Sequence, residues 1–161
     1  MHSLSLQLPN RGSWVSNGKT LVAVALADGA PATGAILLDP AAISRELPGY
    51  LSRIKKPVLI LGADEHVSPA RNRDYFYTFI RTGVAEVSIK DAGHEDAQYP
   101  AEFPLQLFSS GPPDTEELQI TFVSALTSAA FSLFATGKFD YAWASFGDAI
   151  KNGRIFNAKK K

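Results

Sequence analysis

The sequence predicts a single α/β domain: a mostly parallel sheet with flanking helices and a helical C-terminus. Three short apolar runs, at 34–39 (GAILLD), 57–62 (PVLILG) and 84–89 (VAEVSI), have the continuous hydrophobicity of strands buried on both faces. Longer amphipathic stretches alternate with them, as expected for strand–helix–strand units. The 161 residues, of which 45% are hydrophobic and 20% charged, suffice for one domain with its own core.

Two helices accompany the strands. Residues 19–28 (KTLVAVALAD) form an apolar segment that Asn17 and Gly18 precede and Gly29 ends, which predicts the first helix. A second helix is predicted over 70–82, after Ser68–Pro69. Its apolar residues recur at helical spacing: Tyr75, Phe76, Phe79 and Ile80.

The C-terminal part changes character. Prolines and glycines make 100–114 a loop, and Asp114 with Glu117 then forms a capping-box pattern that opens a long helix, ended by Gly137. One face of that helix carries Leu118, Phe122, Leu126, Ala129 and Leu133. A shorter helix is predicted over 139–151, and its aromatic residues are expected to pack in the core: Phe139, Tyr141, Trp143 and Phe146. The last three residues, Lys159–Lys161, are expected to be a solvated, frayed end.

The composition and charge of the chain argue against several classes of partner and site. The formal net charge is zero, so the overall balance does not favour nucleic acid or an anionic membrane as a partner. The chain has no cysteine, which removes disulfides, thiolate zinc sites and cysteine nucleophiles. The N-terminus does not resemble a signal peptide, and no run of about 18 apolar residues predicts a membrane span. A cytoplasmic protein without integral membrane contact is therefore expected.

Reactive side chains follow all three predicted strands. Asp39, Asp64 and His94 come at or just after their carboxyl ends, where open α/β sheets bind ligands. A serine hydrolase needs a histidine as general base and a buried acid that fixes the imidazole tautomer. Neighbouring parallel strands can bring the loops of Asp64 and His94 within hydrogen-bonding distance.

The segments GAILLDP, PVLILGADEHVSP and DAGHED resemble the C-terminal acid and histidine motifs of the α/β-hydrolase family, in order and in spacing. The resemblance covers about residues 12–99 and implies a serine esterase or lipase-like enzyme. It places the triad acid at Asp64 and the base at His94. Asp39 in LLDP is the alternative acid, because its position resembles that of the acid in chlorophyllase-like and platelet-activating-factor acetylhydrolase-like members.

The nucleophile segment departs from the family pattern. The family carries G-x-S-x-G on a strand-to-helix turn, and the corresponding segment here is SWVSNGKT. Ser16 has Gly18 two residues later but Trp14 two residues earlier, where the family has glycine. The resemblance implies Ser16 as nucleophile and the backbone N–H of Asn17 as one oxyanion donor.

Only fifteen residues precede Ser16, too few for the strands that come before the nucleophile in this family. The expectation is one N-terminally truncated α/β-hydrolase domain over 1–161, with its hydrolase-like core at about 12–99 and C-terminal helices at about 114–152. Exposed strand edges could then drive self-association.

The function expected is hydrolysis of a carboxylic ester, with an apolar small-molecule ester or lipid as substrate and no cofactor. The alternative is a non-catalytic α/β-hydrolase remnant or binding module, which would account for Trp14 and the missing first half. A metal site is not expected, because the polar residues near the strand ends match no ligand spacing. These residues are Glu65, His66, Glu95 and Asp96.

Overall fold

The computed structural model describes residues 18–42, 44–64, 73–93 and 116–161. These residues form a four-stranded sheet in the order β1-β2-β3-β4. The first three strands are parallel, and β4 runs antiparallel to β3. The bounds are β1 Ala35–Leu38, β2 Val58–Gly62, β3 Val84–Ile89 and β4 Ile155–Lys160. The predicted α/β class with a mostly parallel sheet is confirmed.

Helices cover both faces of the sheet. Because successive residues of each strand point to opposite faces, every strand contributes side chains to either of two cores. One face packs on the first three helices and shares with them a core that includes Leu37, Ile60 and Phe76. The other face packs on the later helices around Leu61, Val87 and further apolar side chains. The helices are α1 Gly18–Ala27, α2 Leu47–Leu51, α3 Arg73–Phe79, α4 Glu116–Thr136, α5 Asp140–Ser145 and α6 Gly147–Lys151.

The predicted strands and helices are found with small shifts at their ends, with three exceptions. Helix α2 was not predicted, because its sequence LPGYL contains proline and glycine; the proline lies in the first turn, where no N–H is needed. The predicted helix over 139–151 is divided at Phe146 into α5 and α6. Phe139 and Phe146 are buried as expected, but Tyr141 is 59% exposed.

The third exception is the C-terminus, where a frayed end after the helices was expected and β4 is found. Ile155 anchors the strand in the core, and backbone hydrogen bonds join Lys161 to Val84 in both directions. A register shift between Glu86 and Ser88 marks a bulge, and Asn157 lies there with a φ of +49°. The lysines obscured the strand in the sequence because they lie on a sheet edge, where charged side chains prevent edge-to-edge association.

Lys159 fixes β4 to a buried carboxylate. Its Nζ lies 3.0 Å from Oδ1 of Asp74 and 3.4 Å from Oε2 of Glu86, whose side chain is 1% exposed. Burial by itself would lower the pKa of Lys159, but the hydrogen bond with Asp74 and the charges of both acids outweigh it, so the pKa is raised above its ordinary 10.5. The predicted apolar run of β3 therefore contains a charged group that β4 neutralises.

The Lys159→Met variant is expected to lose about 1–2 kcal/mol of unfolding free energy, because Glu86 stays buried with one cation fewer. We expect a loss near the lower end of this free-energy range, because the Lys159 side chain is 37% exposed and water screens its interaction with Glu86. Urea unfolding measures the loss. A raised folded pKa favours the protonated lysine in the folded state, so this stabilisation is complete below the unfolded pKa, near 10.5, and is lost as pH rises through the folded pKa.

The matched control is Lys151→Met, because Lys151 and its partner Asp148 are 80% and 89% exposed at 3.7 Å. It should change stability by less than about 0.5 kcal/mol at any pH. Equal losses in both variants would contradict the role assigned to Lys159.

Helix α4 buries one face and exposes another. Its buried residues include Leu118, Phe122 and Ala129, whereas Phe131 is 66% and Phe134 85% exposed. By length and composition α4 is the one helix in the described ranges that could cross a membrane, but a core helix meets the same criteria. The contacts of α4 with β1, β2 and β3 are those of a core helix.

Candidate active site

The carboxyl ends of β1, β2 and β3 meet at one edge of the sheet, because the three strands are parallel and in register. An aspartate follows each strand there: Asp39, Asp64 and Asp91. Asp39 and Asp64 are each 5% exposed, although both are charged residues in ordinary solution. Two buried carboxyl groups at the ligand-binding edge of a parallel sheet make this edge the candidate active site.

Asp64 is tied to the end of β3 by two hydrogen bonds. Its Oδ2 accepts the backbone N–H of Asp91 at 2.9 Å, and its own backbone N–H donates to the carbonyl of Ala92 at 2.7 Å. The carboxylate is thus held beside the loop that begins after β3. An acid with its orientation fixed in this way is suited to orienting a second polar group.

Asp39 is held in the same manner one strand away. Its Oδ1 accepts the N–H of Ala63 at 3.1 Å, and its backbone N–H donates to the carbonyl of Leu61 at 2.7 Å. Its φ of +38° is uncommon for a residue with a side chain, although aspartate tolerates it better than most. Asp39 therefore contacts the end of β2, directly before Asp64, and β2 separates it from β3.

Helix α1 begins at this same edge. The hydroxyl of Thr20, in the first turn of α1, donates a hydrogen bond of 2.9 Å to the carbonyl of Ala41. Ala41 follows Asp39 by two residues, so the hydrogen bond fixes the N-terminal turn of α1 beside the loop after β1. Ala23 and Leu26 of α1 pack against the sheet in the same core as Leu37.

The described residues include only some of the site residues that the sequence predicts. Asp64 and Asp39 lie at the expected strand ends, and both side chains are directed toward the next strand. Ser16, Asn17 and His94 lie outside the described residues, so their distances from the two acids stay predictions. The polar residues considered for a metal, Glu65, His66, Glu95 and Asp96, also lie outside them. Within the described ranges no group of three or more His, Cys, Asp or Glu residues could hold a metal ion.

Asp91 is the residue that sequence reasoning missed. It adopts a φ of +62° two residues after the end of β3, and in this turn its N–H donates to the carboxylate of Asp64. The sequence signal was Asp91-Ala92-Gly93, since aspartate near glycine marks a turn and visits the left-handed region more readily than most residues.

A second concave feature lies at the opposite edge, where β2 and β3 begin and β4 ends. We name it the basic cleft; its volume is about 370 Å³. Lysines from three parts of the chain surround it, and Trp143 of α5 forms part of its wall. Its charged residues are Lys55, Lys138, Asp140, Lys160 and Lys161.

Comparison with known proteins identifies no relative: no family model, no curated protein and no solved structure matches this chain.

Proposed function

We propose that this chain is an α/β-hydrolase-like serine esterase that cleaves carboxylic esters. The observation that carries the proposal is the placement of Asp64. It is a buried carboxylate just after the carboxyl end of a parallel strand, and it accepts a backbone N–H from the turn that follows the next strand.

The position of Asp64 supports a triad because its hydrogen-bond partners belong to the turn that directly precedes His94 in the sequence. Two hydrogen bonds join it to Asp91 and Ala92, and His94 comes two residues after Ala92. Two residues of extended chain span at most about 7 Å, so covalent geometry keeps the backbone of His94 close to Ala92. In the proposed site the carboxylate of Asp64 accepts the Nδ1–H of His94 and stabilises the imidazolium that forms.

Asp39 then acts as a positioning residue. Its carboxylate holds the N–H of Ala63, the residue before Asp64, and so fixes the turn that presents the triad acid. Its position beyond β2 also makes it the poorer partner for a histidine that follows β3. This geometry favours Asp64 over Asp39 as the acid.

The start of α1 supports Ser16 as nucleophile. The helix begins at Gly18, and its first turn is fixed at the carboxyl edge through Thr20. Ser16 precedes this turn by two residues, as the nucleophile precedes the helix in a nucleophile elbow. Ser16 would attack the acyl carbon, His94 would accept its proton and pass it to the leaving alkoxide, and the N–H of Asn17 would donate to the oxyanion.

The experiment is hydrolysis of p-nitrophenyl butyrate by the purified chain beside Ser16→Ala and His94→Ala. Each substitution is expected to lower kcat by about 10³-fold or more, because nucleophile and base act as one unit. Circular dichroism and urea unfolding establish that the variants are folded. The apolar ester or lipid class of substrate follows from the family resemblance, and no cofactor is required.

A folded chain without ester hydrolysis would overturn the proposal and favour the alternative, a non-catalytic remnant or binding module. Unchanged kcat in Ser16→Ala alone would assign the nucleophile to another residue. Cytoplasmic location and self-association stay predictions, which fractionation and sedimentation velocity test.

A further inference from the structure

The basic cleft lies at the amino ends of β2 and β3, at the edge of the sheet opposite Asp64. Pro57 and Gly83 precede these strands and form part of its wall. Any ligand here would be separated from the candidate active site by the length of the strands, so binding in the cleft is independent of the proposed esterase function.

The charges of the cleft are unbalanced. Lys55, Lys138 and Lys160 contribute three ammonium groups against the one carboxylate of Asp140. None of these three lysines takes part in the ion pairs found among the described residues. Lys161 is excluded from the balance, because its Nζ lies 3.3 Å from the carbonyl of Thr78 on the other face of the sheet.

The wall beside these cations is apolar and aromatic. Phe139 is buried, Trp143 is half-buried, and Val84 and Ala85 of β3 complete the surface. The Nζ of Lys160 lies 5.3 Å from the centre of the Trp143 ring. The cation and the aromatic ring thus lie side by side in the lining of the same cleft.

We infer that the basic cleft binds a phosphate monoester of an aromatic or other apolar group. The volume of about 370 Å³ falls within the range of small-molecule sites, about 300–1,000 Å³. A phosphate dianion matches several ammonium groups better than a carboxylate does, and lysine binds phosphate as a point charge. The body of the ligand would lie against Trp143 and Phe139, which an inorganic anion could not exploit.

The test is a titration of the full chain with phenyl phosphate, followed by ¹H–¹⁵N spectra. Saturable shifts are expected at Gly83 and Gly137, two residues that line the cleft. Lys138→Gln and Lys160→Gln should each weaken binding about three- to fivefold, because one exposed charge contributes little to binding. The double variant, which lacks two charges, should weaken it about tenfold. Lys151→Gln, a lysine of α6 outside the cleft, is the matched control and should leave the dissociation constant unchanged.

Two comparisons with phenyl phosphate decide the ligand class. Inorganic phosphate and benzyl alcohol should each bind at least about tenfold more weakly than phenyl phosphate, because each lacks one half of the recognition. Equal binding of inorganic phosphate would overturn the role of the aromatic wall. Equal binding by the Lys138→Gln/Lys160→Gln variant, or shifts confined to other parts of the chain, would overturn the site itself.

Discussion

Asp64→Asn is expected to lower kcat for p-nitrophenyl butyrate by about 10³–10⁴-fold, whereas Asp39→Asn should change it by less than about tenfold. Both substitutions preserve shape and keep one side-chain oxygen as a hydrogen-bond acceptor. Asn at the triad acid would disfavour the required tautomer of His94 and remove the charge that stabilises the imidazolium. At position 39 the remaining oxygen can still accept the N–H of Ala63, the bond that is 3.1 Å long in the structure.

The two acids form a matched pair, since each is 5% exposed and each accepts a backbone N–H from a residue just after the end of the neighbouring strand. A general loss of stability would therefore affect both variants, and urea unfolding of each separates that effect from catalysis. A large loss of kcat in Asp39→Asn with a small one in Asp64→Asn would assign the triad acid to Asp39. Similar small changes in both would contradict a Ser-His-Asp mechanism.

Phe122→Ala is expected to lower the free energy of unfolding by about 3–5 kcal/mol, which corresponds to about 8–15 °C in Tm for a chain of this size. Phe122 is 6% exposed and packs in the core between α4 and the sheet, so its truncation leaves a cavity. Urea unfolding with an unchanged m-value would show that stability alone has changed.

Phe134→Ala is the control on the same helix. Phe134 is 85% exposed, so the same substitution should change stability by less than about 0.5 kcal/mol. Helix propensity cancels between the two variants, because both replace phenylalanine by alanine inside α4. A loss above about 1.5 kcal/mol in Phe134→Ala would show that this outer face of α4 is covered in the folded protein.

The fold could be predicted where one signal dominated. Continuous apolar runs identified β1, β2 and β3, and helical spacing identified α4. The capping pattern at Asp114 and the predicted loop over 100–114 lie outside the described residues. Strand β4 was missed because its buried contact, Ile155, is followed by exposed and charged residues, and its partner β3 is remote in the sequence. The contact of its Lys159 with Glu86 could not be predicted either, because the burial of Glu86 cannot be inferred before the sheet is assembled.

For the candidate site, the sequence predicted which residues lie at the ends of strands but not which atoms they contact. Residue order placed Asp39 and Asp64 after neighbouring strands, and parallel topology then brought them to one edge. The hydrogen bonds that distinguish them depend on the turn at Asp91, which the sequence signals, and on the strand register, which the sequence pattern does not encode. The basic cleft was missed because its lysines are scattered along the chain and meet only when β4 pairs with β3.

The attachment of β4 has a consequence for the order in which the protein can be completed during synthesis. Domains generally fold as the chain emerges, and β1, β2 and β3 precede β4 by many residues. Until β4 has been made, one side of β3 offers unpaired N–H and carbonyl groups, and the carboxyl group of Glu86 lacks Lys159. A chain truncated before Ile155 should therefore bind chaperones that recognise open strand edges, and the chain that includes β4 should be released from them.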